Sequence, residues 1–206
     1  NYLRPVIGNI LPYVSTDTMA GYFRSLGSIA LPLNCGMLVG CGVVWSSVLG
    51  GEHPTEAETR KFRKILEREL ASGAMGVSLG LGYAPECFYT TQELIAALAP
   101  LRDSGVPITV HMRQEGAGVV EALKEMLTVA RALRTPVHIS HLKSIGKAYW
   151  GRYMPRMLEI LTRAREEGLD VSCDLYPYTA GSTQLIHVLP PESQDGGLAA
   201  LTEKLR

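Results

Sequence analysis

The 206-residue sequence predicts an α/β fold, an incomplete (β/α)8 TIM-type barrel of about five βα units. Short apolar runs of strand length alternate with longer amphipathic stretches, which implies parallel strands joined by helical crossovers. The short runs are nearly all apolar, as expected of strands covered on both faces. Polar side chains gather where the runs end: His111, Arg113, His141, Lys143, Asp174 and Tyr176 all fall at or just past the C-terminal ends of consecutive strands. An open doubly wound sheet concentrates its site at one switch point, whereas a barrel brings every strand end to a common rim. The barrel fits better.

The elements follow in order. Leu33 to Val39, between Pro32 and Gly40, predicts a buried strand. Thr55 to Ala71 predicts a helix: Thr55 can cap it, Glu58 stands where a capping-box acid belongs, and Phe62, Ile65, Leu66 and Leu70 share one face. Gly73 stops it, and Ala74 to Leu79 predicts the next strand. Gly80-Leu81-Gly82 carries neither GxGxxG nor a Lys-Ser signature, so it reads as a tight turn rather than a phosphate loop. Thr91 to Arg102 (helix), Ile108 to Met112 (strand), Gly118 to Leu133 (helix) and Pro136 to Ser140 (strand) continue the alternation. Pro155 to Glu167 predicts a helix, Val171 to Leu175 a fifth strand, and Leu198 onward a further helix. With no linker or low-complexity tract, residues 1–206 are expected to form one incomplete catalytic barrel domain.

Composition excludes several functions. Hydrophobic residues make up 46% and charged residues 19%, a globular balance rather than a disordered one. Twenty basic residues offset twenty acidic ones, so no long-range field recruits nucleic acid or anionic lipid. No apolar run approaches the roughly 20 residues that span a bilayer, so no membrane partner is expected. The four cysteines, Cys35, Cys41, Cys87 and Cys173, form no CxxC pair and read as reduced core thiols of a cytoplasmic protein. The opening Asn-Tyr-Leu-Arg-Pro has neither Met nor a signal pattern, as expected of a segment internal to a longer chain. Oligomeric state is not legible.

The chemistry centres on two histidines. His111 follows Ile108-Thr109-Val110 and His141 ends Val137-His138-Ile139-Ser140-His141, so they sit at strand ends one βα unit apart. Two rim imidazoles can share a zinc ion, or can form a hydrogen-bonded pair without metal. His138 points away from the face of Val137 and Ile139, as a support for the site or a satisfied core residue. His53 and His187 read as surface histidines. Arg113 reads as a structural brace, pairing with Glu115 or Asp174, in preference to a carboxylate clamp.

The chain resembles the N-acyl-D-amino-acid deacylases (D-aminoacylases) of the amidohydrolase superfamily. The resemblance rests on Leu38-Val39-Gly40, on Gly73-Ala74-Met75-Gly76-Val77-Ser78-Leu79-Gly80-Leu81-Gly82-Tyr83-Ala84-Pro85, and on His111-Met112-Arg113-Gln114-Glu115. It continues with Val137-His138-Ile139-Ser140-His141-Leu142-Lys143 and with the run from Asp174 to Thr183, Asp-Leu-Tyr-Pro-Tyr-Thr-Ala-Gly-Ser-Thr. It implies a zinc hydrolase that cleaves the amide of a small-molecule N-acyl-D-amino acid, the metal activating water and polarising the acyl carbonyl. It also implies that His111 and His141 are metal ligands, that Lys143 reaches the substrate side, and that Tyr176 and Ser182 hold the substrate's α-carboxylate. A phenol and a hydroxyl suit that last task, since both donate hydrogen bonds.

Some family features have no counterpart here. The family's His-x-His pair, its cysteine ligand and its aspartate base are expected outside this chain, and Cys41 stands where the family usually has histidine. No catalytic base is therefore assigned within the chain; Asp174 precedes Tyr-Pro-Tyr and does not match the family's base. Two other readings stay open: a catalytically incomplete barrel with a structural or binding role, and a cyclic-amide hydrolase of the same superfamily. The Tyr-Pro-Tyr-x-Ala-Gly-Ser-Thr run disfavours the second.

Overall fold

A computed structural model describes residues 17–183, 189, 197–204 and 206. Its centre is a five-stranded parallel sheet whose strands lie side by side in chain order. These are β1 (Leu38–Gly40), β2 (Gly76–Gly80), β3 (Ile108–His111), β4 (Val137–Ile139) and β5 (Val171–Cys173). The helices are α1 (Met19–Gly27), α2 (Cys41–Val48), α3 (Glu56–Ala71), α4 (Thr91–Ala97), α5 (Val119–Leu133), α6 (Tyr153–Glu166) and α7 (Gly197–Lys204). Crossovers of one hand between successive neighbours put their helices on one face of the sheet. Such an arc is a portion of a βα barrel, not a doubly wound sheet. None of the described helices is long and apolar enough to cross a membrane.

Strand register separates two faces. Val39, Val77, Ile108, Val137 and Val171 align across the sheet and are buried under the helices. One residue on, Gly40, Ser78, Thr109, His138 and Ser172 align on the opposite face. The expectation that both faces are apolar is corrected: only the helix-covered face is. Strands of three to five residues are too short to display the period-two pattern clearly, and small Gly, Ser and Thr residues disguise it.

The elements begin and end for local reasons. Capping boxes start α3 (Thr55 with Glu58) and α4 (Thr90 with Glu93), each side chain meeting the other's backbone N–H. The predicted helix to Arg102 stops at Ala97 and gives way to a 3-10 turn at Ala99–Leu101, because Pro100 supplies no N–H. The predicted strand from Leu33 is regular only over Leu38–Gly40, where β2 pairs with it, and Leu33 is exposed. Helices α1 and α2 were not expected. The second starts directly at the end of β1 with no polar break, and its Trp45 stacks on Phe62 with centroids 4.0 Å apart. All four cysteines are free, but only Cys41 is buried; Cys35 and Cys173 are exposed, correcting the core assignment for both. Cys35 precedes the paired part of β1, and Cys173 ends the edge strand β5.

At Gly76 the β2 backbone runs close against its neighbours. A Cβ there would lie 2.7 Å from the Pro107 carbonyl oxygen and 3.0 Å from a Leu38 methyl. Because the first obstacle is main chain, Gly76→Ala is expected to cost about 1–3 kcal/mol in a urea unfolding titration. An unchanged midpoint would mean that the β2–β3 spacing is looser than this contact requires.

Candidate metal centre and adjoining cleft

His111 is the last residue of β3, so the sheet fixes its backbone. His141 follows β4 across a bend and has φ 44°, a left-handed conformation that a side chain makes unfavourable. Two contacts from Asp174 hold the bend: its carboxylate accepts the His141 backbone N–H, and its carbonyl accepts that of Leu142 at 2.8 Å. Held this way, His141 Nε2 lies 3.0 Å from His111 Nδ1. Two nitrogens on one tetrahedral zinc, each about 2.0–2.1 Å from it, lie roughly 3.3 Å apart. The pair therefore fits a shared ion after opening by a few tenths of an ångström.

Glu115 completes the cluster. His111, Glu115 and His141 offer ligand-type atoms that all lie within 4.8 Å of one another. The Glu115 side chain is only 10% exposed, and its Oε1 is 3.1 Å from His141 Nδ1 and 3.9 Å from His111 Nδ1. Lys143 Nζ donates to the same carboxylate and lies 2.9 Å from His141 Nδ1. The sequence signal for Glu115 is its position four residues after His111, although the local pattern suggests it first as a partner of Arg113.

Arg113 is structural, with different partners from those expected. Its Nε and Nη2 donate to the two oxygens of Glu125 on α5 at 2.9 Å each. Nη1 and Nη2 also donate to the carbonyls of Cys87 and Tyr89, at 2.6 and 2.7 Å. The guanidinium thus ties the end of β3 to α5 and to the loop after β2. A bidentate carboxylate pair suits its planar fork.

His138 lies on the polar face and belongs to the support of the bend. Asp174 can only accept, so His138 Nε2 donates to Asp174 Oδ2 at 2.9 Å, while Nδ1 accepts from the Ser172 hydroxyl at 2.8 Å. The His138 hydrogen bond holds the Asp174 carboxyl below the usual carboxylate range, against a smaller opposing effect of burial. Asp174 thereby braces the bend at His141.

The loop after β2 presses on His111. Gly80-Leu81-Gly82 is a turn, with the Tyr83 N–H on the Gly80 carbonyl at 2.9 Å and the Leu81 N–H on the His111 carbonyl at 3.0 Å. The Tyr83 ring packs on the His111 imidazole, centroids 4.6 Å apart. A Cβ on Gly82 would stand 2.8 Å from His111 Nε2. Gly82→Ala is expected to displace that ring and weaken zinc binding about tenfold, since a site tolerates only about 0.5 Å of misplacement. Calorimetric titration against the unsubstituted protein checks this; equal affinity would show that the loop yields instead of the histidine.

Lys143 and Tyr176 line a cleft of about 460 Å³ beside the histidines, together with Ile145, Trp150 and Tyr178. Lys143 Nζ lies 5.6 Å from the centre of the Tyr176 ring, within cation–π range. Ser182 is exposed in the following segment and does not line the cleft. His53 is exposed, its Nδ1 3.0 Å from Glu93, and His187 lies outside the described residues.

No protein-family model matches the chain. A D-aminoacylase from Alcaligenes xylosoxydans xylosoxydans is 36% identical over 171 residues, covering 82% of this chain and 35% of that protein. A crystal structure of D-aminoacylase, described as defining a novel subset of amidohydrolases, superposes with a TM-score of 0.75 at 34% identity. That match covers 80% of this chain and 35% of the other. An N-acyl-D-glutamate deacylase from Bordetella bronchiseptica, complexed with zinc and a phosphonate mimic of the tetrahedral intermediate, gives 0.74 at 31% identity, covering 78% and 34%. The chain thus spans about a third of the length of the relatives it matches. Shared sequence and shared βα architecture agree, and the chain belongs to the N-acyl-D-amino-acid deacylase (D-aminoacylase) family of amidohydrolases.

Proposed function

We propose that this chain forms part of one catalytic barrel domain of a zinc-dependent hydrolase that splits N-acyl-D-amino acids into a carboxylate and a D-amino acid. The observation that carries the reading is the approach of His111 Nδ1 to His141 Nε2 at 3.0 Å, at the rim and beside the Lys143–Tyr176 cleft. His111 and His141 hold the metal. Zinc, when bound, lowers the pKa of water and polarises the acyl carbonyl. Lys143 supplies positive charge on the substrate side, and the Tyr176 hydroxyl donates a hydrogen bond to the α-carboxylate; Ser182, exposed just beyond the cleft lining, would join it only if its segment turned inward. The base belongs to none of these residues, and Asp174 is engaged by His138 and the His141 amide.

The relatives' names support the substrate class: one is a D-aminoacylase and another an N-acyl-D-glutamate deacylase. The test is hydrolysis of N-acetyl-D-methionine and its L-enantiomer by the zinc-loaded full-length protein. Release of D-methionine with at least about tenfold preference over the L form, or about 1.4 kcal/mol, is expected. Absence of turnover, or equal turnover of both enantiomers, sinks the reading.

A further inference from the structure

His141 Nδ1 sits between two partners that make opposite demands on it. Glu115 Oε1, 3.1 Å away, can only accept a hydrogen, whereas Lys143 Nζ, 2.9 Å away, can only donate one. One ring nitrogen of a neutral imidazole serves one of these demands at a time. If Lys143 donates to Nδ1, the ring hydrogen is on Nε2 and points at His111, so the pair closes on itself. If Nδ1–H donates to Glu115, the Nε2 lone pair faces His111 Nδ1 and the two nitrogens are open to a cation. No proton is gained or lost between the two arrangements; the ring hydrogen moves from Nε2 to Nδ1, and Lys143 keeps its bond to Glu115.

We infer that Glu115 is the positioning residue that selects the metal-ready tautomer of His141, and that this selection ends the Lys143 hydrogen bond to His141 Nδ1 while Lys143 stays on Glu115. The inference rests on the histidine-pair metal site proposed above. Its geometry supplies the reason: the short carboxylate contact is to the ring nitrogen that does not face His111, while Oε1 stays 3.9 Å from His111. A carboxylate behind a metal-binding histidine fixes ring and tautomer, and its loss typically weakens metal binding 10–100-fold. Glu115 is well placed to hold still, because its backbone carbonyl accepts the Ile145 N–H at 2.7 Å and joins the two rim loops.

The test uses the purified full-length protein with zinc. In the unsubstituted, zinc-loaded protein labelled with 15N-histidine, His141 is expected to carry its hydrogen on Nδ1; a hydrogen on Nε2 overturns the inference. Glu115→Leu is expected to weaken zinc binding 10–100-fold with its circular dichroism unchanged, and Glu115→Gln, which keeps an acceptor oxygen, to lose less. Folded Glu115→Leu that binds zinc as tightly as the unsubstituted protein also overturns it, while leaving the metal site intact. Failure of the unsubstituted protein to bind zinc removes the metal site itself, and this inference with it.

Discussion

His141→Gly is expected to abolish measurable zinc retention while leaving the metal-free protein as stable as before, or more stable. Removing one of the two facing nitrogens leaves His111 Nδ1 alone of the pair, and a zinc site that draws on three or four protein ligands does not tolerate the loss of one. The loss should exceed the roughly 100-fold upper range seen for outer-shell partners. The backbone responds in the other direction. Position 141 has φ 44°, which glycine adopts without the penalty of a Cβ. Relief of that strain is worth about 1–2 kcal/mol. His141→Ala keeps the Cβ and serves as the control: zinc lost, no stability gained. Metal analysis and chemical unfolding of both variants check this. Zinc retained by either would show that the pair does not bind the metal; a destabilised glycine variant would show that the His141 side chain contributes more to the fold than its backbone strain costs.

Glu86→Gln is expected to stabilise the protein above neutral pH and to flatten its stability profile. Glu86 is only 2% exposed; Oε2 accepts the Gly80 N–H at 3.0 Å, and Oε1 has no hydrogen-bond partner among the described residues. Burial pushes its carboxyl from 4.5 up to about 7, with the Gly80 and Gly42 amides and Arg113 pulling it partly back. The folded protein therefore binds more protons than the unfolded chain between pH 4.5 and about 7, so stability falls as pH rises through that window and levels off above it. The full shift corresponds to about 3 kcal/mol, of which 1–3 kcal/mol is expected back from glutamine, since its amide oxygen still accepts from Gly80. Urea titrations at pH 5 and pH 8 measure it. Equal pH slopes in the two proteins would place the titration elsewhere.

Much of the architecture was legible because each βα unit announces itself locally. Thr55 with Glu58 marked the start of α3, and the runs around Ile108, Val137 and Val171 marked strands that indeed pair in order. The candidate site was legible as far as its strand ends, so His111, His141, Lys143 and Tyr176 stand out from position and resemblance. Other features depend on distances across the fold. Arg113 reaches Glu125, twelve residues away on α5, and nothing in the local pattern favours that carboxylate over Glu115. The helix α2 was hidden because it starts straight after Gly40 with no side-chain cap and no acidic first turn, so nothing in its sequence signals a helix start. The burial of Glu86 was equally hidden, since a glutamate in a loop reads as solvated.

The chain-order sheet also bears on how the histidine pair comes into being during folding. His111 and His141 are only 30 residues apart, and the strands that carry them are direct neighbours. Their approach requires one helical crossover, α5, to pack against β3 and β4, and then Asp174, at the end of the next strand, to hold the bend at His141. Loop-closure entropy for so short a segment is modest, and rates rise as contacts become more local. The α3 and α4 capping boxes add start signals that need no tertiary partner. The pair should therefore assemble early, as soon as the adjacent units carrying β3, β4 and β5 dock, so that the nascent chain could meet a metal ion before the rest of the rim is in place.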